Sequence, residues 1–335
     1  MPPARGFGNS LYPYEGMAFH DREPQASRTQ ASLVMTNSKT KLFFIASVLL
    51  LAFVSAARTQ SQSSRSILIR PAPAADQRIA YGSNEFQYGD LRVPKTAGKH
   101  PVAIIIHGGC WMSQFGLGYM GHLSAALTEA GFATWNIEYR RVGNPGGGWP
   151  GTYEDAAKAT DYLREIADKY SLDLGRVIAV GHSAGGHLAL LLGARPQFKK
   201  DNPLYSANPL KLQGVVSLAG ITDLRKTGTA CDKEVIQFTG GEAKDKAAIY
   251  DQASPIVLIP LGVKQKIVQG EADTTIPPAM ATEYLEAAKK KKDSDAELVL
   301  LKETDHFQIV DPKSAAWSAV LEAAKSLTSS GNRSK

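Results

Sequence analysis

The sequence is poor in cysteine, with only Cys110 and Cys231 among its 335 residues. Two cysteines cannot build a scaffold held by many disulfides, and neither has a spacing to histidine that is typical of a structural metal site. We therefore expect no metal and no cofactor. Two alternatives stay open for the pair: a single disulfide in an exported protein, or two free and partly buried thiols.

The chain also lacks a concentration of charge of one sign. Its formal net charge is +6, but the basic residues are scattered, and the charged fraction of 21% is ordinary for a globular protein. The one basic run, residues 289–292, lies at the end of a predicted helix, where solvation is the simpler explanation. We expect no nucleic-acid partner and favour a small-molecule substrate.

The apolar run at residues 42–57 is too short to span a membrane comfortably. Lys39 and Lys41 precede it and a polar stretch follows it, a pattern typical of a secretory signal. If translation starts at Met35, residues 35–57 form a signal peptide of ordinary length, and residues 1–34 are a disordered or mis-assigned extension. The sequence thus predicts export to the periplasm or the exterior. The alternative is an uncleaved anchor at residues 42–57, which would be the only membrane contact.

Residues 58–76 are rich in Ser, Pro and Ala and predict a linker before one domain at residues 77–330. In that domain short apolar runs alternate with helical patterns. The predicted strands are residues 102–106, 132–137, 176–180, 213–218, 264–269 and 297–301. The predicted helices are residues 119–130, 152–169, 186–194, 278–290 and 314–327. This alternation indicates an α/β fold with a mostly parallel sheet covered on both faces. Residues 225–260 break the rhythm, and we expect a small cap or loop insertion over the carboxyl edge of the sheet.

The strongest chemical motif is Gly-His-Ser-Ala-Gly at residues 181–185, between a predicted strand and a predicted helix. A serine hydroxyl is a poor nucleophile unless a tight turn presents it beside a base. The strand–turn–helix context is the one that the G-x-S-x-G nucleophile elbow requires. We therefore predict Ser183 as a nucleophile.

The base follows by elimination among seven histidines, namely His20, His100, His107, His122, His182, His187 and His306. In chains with this elbow the order is serine, acid, histidine, so only His187 and His306 qualify. His187 lies one helical turn beyond Ser183 with no acid between them. His306 follows the last predicted strand and is the predicted base.

The acid must follow a strand between Ser183 and His306. Asp273 follows the strand at residues 264–269 and is the preferred candidate, with Asp223 and Glu271 as competitors. Its expected role is to accept a hydrogen bond from His306, to fix the tautomer and to stabilise the imidazolium.

The predicted oxyanion hole lies after the early strand at residues 102–106, in the sequence His-Gly-Gly-Cys-Trp at residues 107–111. Backbone N–H groups of Gly108 and Gly109, together with that of Ala184, are the expected donors. His107 is expected to be structural because it precedes the nucleophile. Trp111 and Trp149 are candidates for the wall of a substrate pocket, with ordinary core packing as the alternative.

At these motifs the chain resembles the hormone-sensitive-lipase-like branch of the α/β hydrolases, and it is similar to feruloyl and acetyl esterases and to kynurenine formamidase. The resemblance covers about residues 79–327. It rests on the loop at 107–111, the elbow at 181–189 and the acid and base segments at 269–273 and 305–307. The chain departs from the group at Gln269, where histidine is common, and at Cys110. The resemblance implies the α/β-hydrolase fold and ester hydrolysis.

The combined pattern predicts cleavage of a carboxylic ester through an acyl-enzyme on a triad of Ser183, Asp273 and His306. Hydrolysis of an N-formyl aromatic amide, as in kynurenine formamidase, is the first alternative, and the predicted export argues against it. An inactive binding module on a hydrolase scaffold is the second. A candidate for every triad member argues against that module.

Overall fold

A computed structural model of the protein describes residues 64–200, 202 and 204–329. The predicted extension at residues 1–34, the signal peptide at 35–57 and its alternative, the anchor at 42–57, lie outside the described residues. Within the described ranges, no helix is long and apolar enough to cross a membrane.

The described chain contains an eight-stranded sheet with the order β1-β2-β4-β3-β5-β6-β7-β8. The strands are β1 (Gln77–Ala80), β2 (Tyr88–Arg92), β3 (His100–Ile106), β4 (Ala133–Ile137), β5 (Leu172–His182), β6 (Gly214–Leu218), β7 (Lys264–Gly270) and β8 (Ala296–Leu301). Strand β2 runs antiparallel to β1 and to β4, and all pairs from β4 to β8 are parallel. The six strands predicted from apolar runs are all present, and β1 and β2 were missed because they are short and carry charged residues.

Helices of the described chain connect these strands and cover the sheet. They are α1 (Gly121–Glu129), α2 (Gly151–Asp161), α3 (Leu163–Ile166), α4 (Ala184–Ala194), α5 (Asp232–Thr239), α6 (Ala247–Ala253), α7 (Pro255–Leu258), α8 (Pro278–Lys290) and α9 (Trp317–Thr328). Short 3₁₀ helices lie at Ser66–Leu68, Leu117–Met120, Arg195–Gln197 and Gln308–Val310. The helix predicted over residues 152–169 is divided into α2 and α3.

Strand β3 shows why this sequence forms a sheet that is buried on both faces. Successive side chains of a strand point to opposite faces. Ile104 and Ile106 pack in one hydrophobic core, whereas Ala103 and Ile105 pack in a second core on the other face, and all four are fully buried. A continuous apolar run therefore fits β3, as expected for a parallel strand with helices on both sides.

The parallel strands carry the predicted site residues to one edge of the sheet. His107 follows β3, Ser183 follows β5, Asp273 follows β7 and His306 follows β8. Strands that run parallel end at the same edge, where open α/β sheets place their ligands. The topology thus brings together residues that lie far apart in the sequence.

The predicted linker at residues 58–76 is wrong for its described part, which packs on the domain. Ile67 is fully buried in the core beside α1 and α9. The guanidinium of Arg70 donates two hydrogen bonds to the carboxylate of Asp311, at 3.0 and 2.8 Å. Composition alone suggested a linker because one buried isoleucine among Ser, Pro and Ala residues carries no periodic signal.

The segment 225–260 forms the short helices α5, α6 and α7 rather than an irregular loop. It is tied to the loop after β3 by a disulfide between Cys110 and Cys231, which joins residues 121 positions apart with a Cα–Cα distance of 5.4 Å. Of the two states that the sequence left open, the structure therefore has the bonded one.

Candidate active site

Ser183 lies on a strained turn between β5 and α4. Its backbone has φ 56° and ψ −121°, in the positive-φ region that residues with a Cβ seldom adopt. The Ser183 N–H donates to the carbonyl of Leu218 at 2.9 Å, which ties the turn to the end of β6. This geometry is the one that a nucleophile elbow requires.

Two glycines allow the elbow to close. A Cβ on Gly181 would lie 2.0 Å from the carbonyl oxygen of Gly185, and a Cβ on Gly185 would lie 2.1 Å from the carbonyl oxygen of Ile106. Backbone atoms cannot yield at such distances. The glycines at both ends of the motif are therefore needed to pack the turn against β3 and α4.

The predicted base and the predicted acid are hydrogen-bonded. His306 Nδ1 lies 2.7 Å from Asp273 Oδ2, and both residues are buried, with 5% and 4% of their surface exposed. Because the carboxylate accepts this hydrogen bond, Nδ1 carries a proton, and in the neutral ring Nε2 then has the lone pair. A histidine in this tautomer is ready to accept a proton at Nε2.

The carboxylate of Asp273 is held by further donors. Oδ1 accepts hydrogen bonds from the backbone N–H groups of Thr275 and Ile276, at 2.8 and 2.9 Å. Oδ2 accepts one from Gln269 Nε2 at 3.1 Å. Gln269, a position at which the sequence departs from the resemblance, thus supports the acid.

The competing acids do not reach the histidine. Asp223 uses its Oδ1 atom to accept the N–H of Arg225, at 2.9 Å, and Glu271 is exposed. Only Asp273, among the three candidates from the sequence, contacts His306.

Ser183 and His306 line the same cavity, but no hydrogen bond between them is closed within the described chain. Catalytic hydrogen bonds in structures without substrate are often long and tighten when substrate binds. The structure therefore brings Ser183, Asp273 and His306 together. The hydrogen bond between Asp273 and His306 is formed, and the one between His306 and Ser183 is not formed within the described chain.

The loop after β3 differs from its prediction at Gly108. The Gly108 N–H donates to the hydroxyl of Tyr119 at 2.7 Å, so it is not free to bind a substrate oxygen. The N–H of Gly109 has no partner in the described chain, and that of Ala184, the first residue of α4, has no intrahelical partner. Gly109 and Ala184 therefore remain the candidate oxyanion donors, and the prediction of Gly108 as a third donor is wrong.

Gly108 instead begins a hydrogen-bonded path under the site. The Tyr119 hydroxyl accepts from Gly108 and donates to His182 Nδ1 at 2.8 Å, and His182 Nε2–H donates to the carbonyl of His306 at 2.9 Å. Burial lowers the pKa of His182 well below its usual range, and the nearby His306 lowers it further. Burial also raises the pKa of Tyr119. Both groups therefore stay neutral, as this sequence of donors and acceptors requires.

His107 is structural, as the sequence predicted. Its Nε2 atom lies 2.8 Å from Glu138 Oε1, and its ring stacks on Tyr139 with centroids 4.3 Å apart. Burial alone would raise the pKa of Glu138, but His107 and Arg141 beside it hold that pKa below its usual range. These buried contacts hold the start of the loop at residues 107–111.

The two tryptophans do not line the cavity, so the pocket prediction for them is wrong. Trp111 is fully buried, stacks on Phe238 with centroids 4.5 Å apart and meets His187 edge-on. Trp149 packs against Tyr153 and Phe238. Both rings pack against Phe238 of helix α5, so they are core residues, which is the alternative that the sequence left open.

The cavity at Ser183 measures about 300 Å³, and its wall is partly aromatic and partly polar. Phe115 and Phe307 supply rings, whereas Arg65, Gln114 and Glu234 supply polar groups. The sequence offered a weak signal for Phe307, which follows His306 directly. It offered none for Arg65, which comes from the segment predicted as a linker. Among the described residues, no group of three or more His, Cys, Asp or Glu side chains could hold a metal ion.

Comparison with known sequences places these features in a family. Residues 90–287, more than half of the chain, match the family model BD-FAE. Esterase LipC of Mycobacterium tuberculosis is 25% identical over 249 residues, which cover 70% of this chain and 60% of LipC. Neutral cholesterol ester hydrolase 1 of Mus musculus is 40% identical over 117 residues, which cover 34% of this chain and 27% of that protein. The chain thus spans less than two thirds of the length of each of these relatives.

Solved structures agree with the fold. A truncated carbohydrate esterase from gut microbiota aligns with a TM-score of 0.65 and 20% identity, over 77% of this chain and 99% of that chain. Esterase B from Lactobacillus rhamnosis aligns with a TM-score of 0.65 and 17% identity, over 83% of this chain and 94% of that chain. The predicted α/β-hydrolase fold is confirmed.

Proposed function

The chain belongs to the BD-FAE family, and we propose that it is a serine hydrolase that cleaves carboxylic esters through an acyl-enzyme on Ser183. The observation that carries the proposal is the 2.7 Å contact between Asp273 and His306, because His306 lines the same cavity as Ser183. An acid that holds a histidine with Nε2 free, beside a serine on a strained elbow, is the arrangement that activates a hydroxyl.

In the first half-reaction Ser183 Oγ attacks the acyl carbon while His306 Nε2 takes its proton. The new Oγ–C bond makes a tetrahedral intermediate whose former carbonyl oxygen is negative. The bond to the alcohol oxygen then breaks, and that oxygen takes the proton from His306. Asp273 stays ionised and stabilises the imidazolium between the two transfers.

The negative oxygen is held by the N–H groups of Gly109 and Ala184. Ala184 begins helix α4, so the positive end of the helix dipole adds to the stabilisation. One such donor is worth a factor of about 10²–10³ in kcat. Gly108 acts only through its contact with Tyr119.

In the second half-reaction water attacks the acyl-enzyme and gives its proton to His306. The Ser183–acyl bond breaks, the carboxylic acid leaves, and His306 returns the proton to Ser183 Oγ. Atoms and charge balance over the cycle, and no other reactant is required.

The cavity favours a small acyl group on a polar alcohol. Its volume of about 300 Å³ lies at the low end for ligand pockets. Arg65, Gln114 and Glu234 offer hydrogen bonds to hydroxyl groups, and the two phenylalanine rings offer stacking surfaces. This chemistry fits a relative described as a probable carboxylic ester hydrolase, and it fits the carbohydrate esterase that shares the fold.

The test is hydrolysis of p-nitrophenyl acetate, butyrate, octanoate and palmitate by the wild type and by Ser183→Ala. We expect turnover that is fastest with the short acyl chains and absent in the variant. A fluorophosphonate probe should label the wild type and not the variant. Turnover that survives in full in Ser183→Ala would overturn the proposal.

N-formylkynurenine, added to this panel of esters, separates the two alternatives. If N-formylkynurenine is hydrolysed and the esters are not, the protein is a formamidase that uses the same serine. If the wild type hydrolyses nothing and the probe labels nothing, the binding-module alternative stands instead.

We also propose that the protein is exported. The disulfide between Cys110 and Cys231 supports this, because such bonds persist mainly in oxidising compartments. Cell fractionation and amino-terminal sequencing should find the protein outside the cytoplasm with a new end near residue 58. A mature end upstream of Met35, or protein found only in the cytoplasm, would contradict the proposal.

A further inference from the structure

The disulfide lies at the boundary of the proposed active site rather than at a remote place in the fold. Cys110 directly follows the oxyanion donor Gly109 and lines the cavity, where it is half-buried. Cys231 is fully buried and immediately precedes helix α5. The bond therefore connects the oxyanion loop to the start of the inserted segment.

The oxyanion loop has a conformation that needs support. Gly109, Cys110 and Trp111 have φ values of 99°, 49° and 59°, so three consecutive residues lie at positive φ. Two of them carry a Cβ, for which this region is unfavourable. Such backbone persists only where surrounding contacts fix it.

Helix α5 supplies those contacts at two points. The disulfide holds Cys110 at the beginning of the helix, and the ring of Phe238 near its end stacks on Trp111. The backbone N–H of Trp149 donates to the carbonyl of Phe238 at 2.7 Å, which anchors that end of the helix. The N–H groups of Met112 and Val142 also hold this loop, donating to the carbonyls of Gly109 and Trp111 at 2.9 and 2.8 Å. At Cys110 the disulfide is the contact that joins the loop to the start of helix α5.

The start of helix α5 also contacts the loop that carries Asp273, at residues 271–277, which we call the acid loop. The N–H of Ala230, next to Cys231, donates to the carbonyl of Thr275 at 2.9 Å. The N–H of Thr275 in turn donates to Asp273 Oδ1 at 2.8 Å, and Asp273 holds His306. A continuous path of bonds thus runs from Gly109 through the disulfide to the acid and the base.

We propose that Cys110 and Cys231 are positioning residues, whose disulfide sets the oxyanion donor Gly109 and the acid Asp273 in their working geometry at the same time. The inference rests on the proposed ester hydrolysis. It makes the activity dependent on the redox state: the oxidised protein is the active form, and reduction loosens both sides of the site without unfolding the sheet.

The test begins with the wild type, reduced by tris(2-carboxyethyl)phosphine. The phosphine is oxidised to its oxide, the S–S bond breaks, and water supplies the oxygen atom and the two thiol protons. Thiol titration with Ellman's reagent after removal of the phosphine confirms two free thiols per chain. We expect kcat for p-nitrophenyl acetate to fall by about tenfold or more while KM changes less than about threefold. Reoxidation should restore kcat.

Hydrogen exchange provides a readout that does not depend on activity. Reduction should accelerate exchange in peptides from residues 107–115 and also in peptides from residues 271–277, with no change in α9. A disulfide that only fastened helix α5 would loosen that helix and leave the acid loop unchanged. That pattern would overturn the proposal.

The variant Cys110→Ala/Cys231→Ala should have the kinetics of the reduced wild type and should not respond to the phosphine. Lys233→Ala, on the exposed side of helix α5, keeps the disulfide and should behave as wild type. If the reduced wild type keeps kcat within twofold, or if only KM rises, the inference fails although the ester hydrolysis stands. If the oxidised wild type hydrolyses no ester, the proposed function fails, and the exchange experiment still decides whether the two loops are coupled.

Discussion

The two sides of the Ser183 cavity are held in different ways. On the acid side, Asp273 is fixed by groups close to it in the chain, namely Gln269, Thr275 and Ile276. On the oxyanion side, Gly108 is fixed by a tyrosine eleven residues away and Cys110 by a cysteine 121 residues away. The acid carboxylate is thus held by groups of its own loop, with one long-range contact from Ala230 to Thr275, whereas the oxyanion side depends mainly on the assembled tertiary structure.

The largest expected effect is on the acid side. In Asp273→Asn the carboxylate that holds His306 Nδ1–H is lost, and the histidine no longer keeps the required tautomer. We expect kcat for p-nitrophenyl butyrate to fall by about 10⁴-fold with little loss of stability. Asp223→Asn is the matched control, because the Asp223 side chain accepts the N–H of Arg225 and does not contact His306 among the described residues. It should stay within about twofold of wild type. Equal losses in the two variants would show that the acid has been assigned to the wrong residue.

The next effect is on the oxyanion side, through Tyr119→Phe. The Gly108 N–H loses its acceptor and His182 Nδ1 loses its donor, and both Tyr119 and His182 are buried. We expect the free energy of unfolding to fall by about 1–3 kcal/mol, and kcat to fall about tenfold, a change of about 1.4 kcal/mol in the activation free energy.

Tyr284→Phe is the matched control for Tyr119→Phe. Tyr284 is fully buried, and its hydroxyl donates to Gln265 on strand β7, away from the cavity. Urea unfolding should show a similar loss of stability, and kcat should be unchanged. A Tyr119→Phe protein that loses stability but keeps its kcat would mean that the long-range contact does not position the oxyanion loop.

A smaller loss of activity is expected from a change on the acid side, at Gln269. Gln269→Met removes one of the donors to Asp273 Oδ2, but the N–H groups of Thr275 and Ile276 remain. We expect kcat/KM to fall about threefold, a change of about 0.7 kcal/mol. Gln269→His keeps an N–H and should recover most of the loss. If both variants match the wild type, the glutamine has no part in holding the acid.

The smallest effect concerns the stability of the packing below the oxyanion loop. His187 meets Trp111 edge-on, and complete burial lowers its pKa from 6.5 to about 4. The unfolded chain therefore binds more protons than the folded chain between these two values, so stability falls as the pH falls through this window. Between pH 7 and pH 6, His187 should lower the free energy of unfolding by about 0.7 kcal/mol.

The variant His187→Gln tests that contribution, because glutamine can still donate to the carbonyl of Ala253, which His187 Nε2 contacts at 2.7 Å. Urea unfolding at pH 7 and pH 6 should show a smaller difference between the two pH values in the variant than in the wild type. An unchanged difference would mean that His187 does not titrate on unfolding in this range.

The sequence predicts the triad residues better than it predicts the contacts on the oxyanion side of the cavity. Ser183, Asp273 and His306 could be proposed because each stands in a short pattern directly after a predicted strand, and chain order removes most competitors. Gly108 could not be excluded as an oxyanion donor, because its partner Tyr119 lies on a separate 3₁₀ helix. Trp111 could not be assigned to the core, because Phe238 comes from a segment without a clear periodic pattern.

The disulfide and the packing of residues 65–67 could not be predicted from the sequence either. Two cysteines 121 residues apart can pair only if the fold brings their Cα atoms to within about 7 Å, and a single sequence does not give that distance. Arg65 and Ile67 lie in a stretch whose composition resembles a linker, so their packing depends on surfaces formed by residues far downstream.

The most direct test of the account is to trap the acyl-enzyme. The wild type mixed with p-nitrophenyl butyrate and quenched in acid within milliseconds should release a burst of p-nitrophenol and carry one butyryl group. After digestion, mass spectrometry should place that group on Ser183. His306→Ala should show neither burst nor adduct. A butyryl group on another residue, or steady turnover without any covalent adduct, would contradict the account.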